Sequence, residues 1–158
     1  PYILNEEGKS LVGAAMGEGN GTQLTRGYAP LVFVDEPSMQ VYYAKPRERV
    51  LHSFSAIAPN EKEMKEIPVS VGRTRSLARY NQCILVGGQN DEDESAMEFS
   101  LIRMKGFGAE EIWKSSILKL EGMAGFREMQ ISANHKIIVS DWLGVHAIEG
   151  LFSPELCD

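Results

Sequence analysis

Short apolar runs separated by turn-forming residues dominate this chain, and few of them keep a helical period. Leu31-Val32-Phe33-Val34, Ile84-Leu85-Val86 and Ile137-Ile138-Val139 start at positions 31, 84 and 137, a spacing of 53. Each follows a turn-like stretch: Gly27-Tyr28-Ala29-Pro30, Tyr80-Asn81-Gln82 and Ala133-Asn134-His135-Lys136. Each is followed by a polar or glycine-containing turn and a second run, at 40–43, 97–102 and 145–148. Short β-branched runs bounded by turns read as strands, and each pair reads as a hairpin. Third strands are expected at 50–54 and 111–117, and leading strands at 69–71 and 126–131. Asp35 and Asp141 close the first run of the first and third units in the same register, where the middle unit has Gly88.

Two segments also fit helices. Residues 109–120 place Ile112, Trp113, Ser116, Ile117 and Leu120 on one helical face, the spacing of an amphipathic helix. Residues 60–67 have a capping Asn60 and a stop at Pro68, enough for one or two turns. Residues 11–27, with Gly13, Gly17, Gly19, Gly21 and Gly27, read as a loop or arm. The expected organisation is a glycine-rich arm over 1–27 and a β-repeat domain over 28–158. The fold class is all-β: three repeated antiparallel units of about 53 residues, propeller-like in architecture. Repetition suits such units, because one small sheet cannot bury both faces while stacked sheets cover each other.

The phrase Ile137-Ile138-Val139-Ser140-Asp141, a short turn and Gly144-Val145-His146-Ala147-Ile148 resembles an inner hairpin of an NHL- or WD-type β-propeller blade. Leu31-Val32-Phe33-Val34-Asp35 with Gln40-Val41-Tyr42-Tyr43 resembles the same hairpin. The resemblance implies architecture and assigns no functional residues: a Gly-His opening is missing, and Trp142 follows Asp141 instead of preceding it. Three units fall short of the four to eight blades of a closed ring. The expected partner is therefore another chain or the remainder of a larger polypeptide. A β-trefoil, which closes with three four-stranded units in about this length, is the alternative fold.

The chain has 158 residues, 43% hydrophobic and 24% charged, which is one domain with a sizeable core. No run approaches the roughly 18 apolar residues of a membrane helix, so no membrane association is expected. Sixteen basic against 22 acidic residues give a net charge of −6, the opposite balance to that of a general nucleic-acid binder. Cys83 and Cys157 fit an intracellular, cytoplasmic protein, with Cys83 a small core residue and a disulfide between the two ranked second. No CxxC or Cys/His pair has ligand spacing, so neither a metal site nor a cofactor is expected.

Candidate chemistry is sparse. Asp141 and His146 fit a hydrogen-bonded pair across the last hairpin, tying down its turn or, at most, forming the acid–base element of a small hydrolase. No Gly-x-Ser-x-Gly or other nucleophile motif accompanies them. Gly17-Glu18-Gly19-Asn20-Gly21-Thr22 has the composition of a phosphate loop but lacks a following helix. Asn90-Asp91-Glu92-Asp93-Glu94 is an acidic turn without the spacing of an EF-hand. Pro1 lacks the β-α-β context of a proline tautomerase. Lys45, Arg47, Arg49, Arg73, Arg75 and Arg79 form two clusters that the repeat places near one end of the units. They would serve an acidic partner, a phosphate or an RNA backbone, or pair with local glutamates. The expected function is a non-enzymatic interaction or scaffolding module in a larger complex. A polyanion-binding module using the arginine cluster is the alternative, and a hydrolase-type enzyme the third reading.

Overall fold

The computed structural model describes residues 31–158 except 46–47, 58–63, 106–107, 124 and 133. The glycine-rich arm, the 17–22 loop, Pro1 and Arg47 lie outside the described residues. Among the described residues, eleven strands form three antiparallel sheets. Sheet 1 contains β1 (Leu31–Asp35), β2 (Gln40–Ala44), β3 (Val50–Ser55) and β4 (Lys65–Pro68), in that order. Sheet 2 contains β5 (Arg73–Tyr80), β6 (Cys83–Gln89), β7 (Met97–Lys105) and β8 (Gly108–Lys114). Sheet 3 contains β9 (Glu128–Ile131), β10 (Ile137–Ser140) and β11 (Val145–Ile148). The first strands neighbour one another, β1 against β5 and β5 against β9, and β4 lies against β8. Among the described residues no helix is long and apolar enough to cross a membrane.

The all-β expectation holds, as do the three hairpins β1–β2, β6–β7 and β10–β11. The common register does not hold throughout. Ile84 and Ile137 both lie in second strands, β6 and β10, but Leu31 opens the first strand of sheet 1. The equal spacing of the first run is therefore not a structural equivalence. Residues 69–71 are not a strand but the link from β4 to β5, anchored by the Val69 N–H on the Arg49 carbonyl.

The helical reading of 109–120 is overturned. Residues 108–114 are β8, and Met97 and Leu118 form a single bridge beyond it. A register shift opposite Leu101 and Ile102 inserts one extra residue in β8, which sets Ile112 and Trp113 side by side and breaks strict alternation. Of the 60–67 turn, residues 65–67 are instead in β4, and 60–63 lie outside the described residues.

Sheet 2 is the middle layer, and β6 is buried along its whole length. Ile84, Val86 and Ile102 on one face meet Tyr42, Ala44, Leu51 and Ile67 of sheet 1. Leu85, Phe99 and Leu101 on the other meet Met129, Ile137, Val139 and Ile148 of sheet 3. This double burial explains why β6 reads as a continuous apolar run. Gly88 has a specific steric reason: a Cβ there would stand 2.0 Å from the Arg73 carbonyl oxygen. A bulge at Arg75 brings β5 that close.

The cysteines correct a second expectation. Cys83 and Cys157 form a disulfide, with Cα atoms 5.6 Å apart and a sequence separation of 74. Cys83 is thus a cross-link site in the core, not a free thiol. The bridge pins a 3-10 turn, Pro154–Cys157, onto the end of sheet 2, where Gln82 N–H and the Arg103 guanidinium also hold tail carbonyls. Phe152 packs edge-on against Tyr80, with ring centroids 5.0 Å apart. Mass spectrometry under non-reducing conditions is expected to find no alkylatable thiol. Cys157→Ser is expected to cost roughly 2–4 kcal/mol, a fall in Tm of about 5–15 °C. Two reactive thiols in the native chain would refute the cross-link.

Tyr43 is buried in a separate cluster with Val41 and Phe54, stacked on His52 at 4.7 Å. Burial pushes its hydroxyl pKa up to about 12, helped by the Glu48 and Glu66 carboxylates. The neutral phenol is favoured in the folded state, so below pH 10 its contribution is complete. Between about pH 10 and 12 the unfolded chain loses the proton first, and stability falls as pH rises. Absorbance at 295 nm is expected to show Tyr43 ionising only as the protein unfolds in that window. Reversible titration near pH 10 without unfolding would contradict its burial.

Candidate functional site

The basic residues come from the segment before β3 and from β5, and acids, mostly distant in sequence, meet most of them. Arg49 donates to the Ser70 carbonyl at 2.9 Å and to Asp91 Oδ2 at 2.8 Å. Arg73 binds Glu94 and approaches Asp91 at 3.9 Å. Lys45 faces Glu48 at 3.7 Å. Arg79 pairs with Asp35 of β1, a carboxylate only 1% exposed. Arg75 donates to Gln89 Oε1 from both Nε and Nη2, at 3.0 and 2.9 Å. The structure brings Arg49 and Arg73 together on Asp91, whereas Arg75 and Arg79 go elsewhere.

The acidic turn is occupied in the same way. Asn90 Oδ1 accepts the N–H groups of Glu92 and Asp93, and Lys119 binds Asp93. The Lys119 ammonium, with the Ser95 hydroxyl and N–H, holds the Asp93 pKa down to about 2. Glu98 accepts from Gly72 N–H at 2.8 Å and from Asn90 Nδ2 at 2.7 Å. Among the described residues, no three His, Cys, Asp or Glu side chains are grouped so as to hold a metal ion.

A cleft of about 600 Å³ opens between β5 and β9, lined by Arg75, Ser76, Arg127, Glu128, Ser140 and Asp141 among others. It joins one residue of the basic set to the aspartate of the proposed pair. Its lining combines Arg75 and Arg127 with Glu128 and Asp141, a mixed-charge set that suits a polar, hydrogen-bonding surface more than a polyanion. Met129 N–H donates to Ser76 Oγ at 3.0 Å, tying the two sheets together at the cleft wall.

Asp141 has the role expected of a turn brace. Its Oδ1 accepts the N–H groups of Leu143 and Gly144, at 2.7 and 2.6 Å, and its Oδ2 faces His146 Nε2 at 3.4 Å. The turn it holds presents Trp142, Leu143 and Val145 at 68%, 77% and 70% exposure. Arg127 lies over the Trp142 ring, 3.1 Å from its centroid. Sequence reasoning noted Trp142 only for its order after Asp141 and missed Arg127. The available signal was an apolar turn, Trp142-Leu143-Gly144-Val145, where polar residues are the rule.

No family model matches this chain, and no curated protein matches its sequence.

Asp141→Ala leaves two N–H groups without their acceptor and is expected to cost about 1–3 kcal/mol. His146→Ala is expected to cost under about 1 kcal/mol, since it removes one long contact. Chemical denaturation of both variants checks the order, and a larger loss for His146→Ala would reverse the assignment of Asp141 as the brace.

Proposed function

We propose that the chain is a non-enzymatic interaction module, supplying consecutive propeller-like sheets to a larger assembly. The observation that carries this is the contrast between the two flanks of the three-sheet stack. On the outward face of sheet 1, Val41, Tyr43 and Phe54 are at most 2% exposed. On sheet 3, Trp142, Leu143 and Val145 stand in solvent beside Arg127. Tryptophan and arginine are the side chains that most often anchor protein interfaces.

The side-by-side first strands support the propeller-like reading. Among the described residues every strand ladder stays within its own sheet, whereas a trefoil shares a closed barrel among its units. The ion pairs of Arg49, Arg73 and Arg79 favour a protein partner over an RNA backbone or another polyanion. The disulfide favours oxidising surroundings over the reducing cytoplasm that the cysteine count suggested.

A photo-crosslinking residue in place of Leu143, with a control in place of Arg49, tests the reading in the native host. A discrete protein adduct from position 143 that persists in 1 M NaCl is expected. An adduct with nucleic acid from position 49, and none from 143, would transfer the function to the arginine cluster.

A further inference from the structure

Sheets 1 and 2 end in fourth strands whose edges are defended. β4 carries Lys65, Glu66 and Pro68, and β8 carries Glu110 and Lys114. Charged residues and proline are the usual means of stopping an edge from pairing further. Sheet 3 differs on both counts. Among the described residues it has three strands, and its outer strand β11 reads Val145-His146-Ala147-Ile148, with neither lysine, acid nor proline. Among the described residues β11 pairs only with β10. Asp141 N–H bonds the Gly144 carbonyl at the base of the turn. Antiparallel alternation then turns the N–H and C=O groups of Val145 and Ala147 toward the open side.

We propose that β11 takes a fourth strand in trans: a single extended segment of a partner polypeptide, adding antiparallel along Val145–Ile148. This rests on the interaction-module reading and names its docking mode. Three features narrow the choice of occupant. Residues 149–157 cannot lie along it while Cys157 is bonded to Cys83, because they run to the end of sheet 2. All eleven described strands already have places in the sheets. A second copy is excluded by sheet 2, which runs one strand beyond sheet 3 because β5 lies against β9. Two-fold pairing of β11 with its own copy would drive each β8 into the other. The space beside β11 therefore admits one strand and no second sheet. Like β4 and β8, that strand carries both charged and apolar residues, and its main chain supplies most of the contact.

Amide exchange in the full-length chain tests this, with a synthetic peptide of residues 108–116 as the probe, since β8 pairs with the corresponding strand of sheet 2. In the chain alone, the amides of Val145 and Ala147 are expected to exchange near their unstructured rates, and those of His146 and Ile148 at least 100-fold more slowly. The peptide at 1 mM is expected to slow Val145 and Ala147 at least 10-fold. Ala147→Pro, which deletes one outward donor without touching the β10 ladder, is expected to abolish that protection, and Ala147→Val to preserve it. Protection of both amides in the chain alone would mean that residues 1–30 or a second copy fill the edge, and would overturn the proposal. So would a peptide that slows neither. An adduct from position 143 that survives Ala147→Pro would remove strand addition while leaving the interaction module standing.

Discussion

Sheet 2 has no polar face, and the rest of the structure follows from that. The seven residues of β6 are all buried, with apolar side chains directed both ways. Each large apolar side chain buried there contributes about 1.5–3 kcal/mol, but only if both flanking sheets are present. An isolated sheet of this kind would leave both apolar faces in water. Sheets 1 and 3 are thus mutually dependent through a layer that touches both. The close fit extends to the backbone: a Cβ on Gly87 would lie 2.9 Å from the Phe126 ring.

Polar ties sit at the margins of this apolar stack and fix how the layers align. Arg79 reaches Asp35 across β5 and β1, and Glu111 of β8 accepts from the N–H and hydroxyl of Ser70 at 2.7 and 2.8 Å. Arg49 and Asp91 form a half-exposed pair of the type worth at most about 1 kcal/mol. The Asp35 carboxylate is different. It is buried, so losing Arg79 would strand a charge away from water, which is far more costly than losing a surface pair. These residues were legible as a basic cluster, but not as inter-sheet ties, because their partners lie up to 44 positions away in sequence.

What the sequence revealed depended on the range of the interaction. Hairpins are local, and β1–β2, β6–β7 and β10–β11 were all visible as paired runs. The position of a hairpin within its sheet is not local, and the first run was accordingly matched to the wrong strands. The helical pattern at 109–120 arose from the extra residue in β8, which sets two apolar side chains next to each other. The link at 69–71 alternates like a strand because Val69 and Val71 are buried between sheets 1 and 2, without a ladder of its own. The disulfide left no local trace, as its two cysteines are 74 positions apart. The candidate site was legible where it was built from one turn, Asp141 with His146, and illegible where it needed Arg127 to meet Trp142.

The exposed tip of sheet 3 is not a frayed end. Asp141 braces its backbone through two N–H groups, Val139 and Ile148 anchor its strands in the core, and Arg127 covers one face of Trp142. An apolar surface held this firmly loses little conformational freedom when something docks on it, so more of its burial remains available for binding. The opposite flank has the same kind of residues, already withdrawn from water. The two flanks therefore differ in what they leave for a partner to bury. On the proposal made above, docking would begin at the edge of β11, because sheet 2 overhangs sheet 3 by one strand.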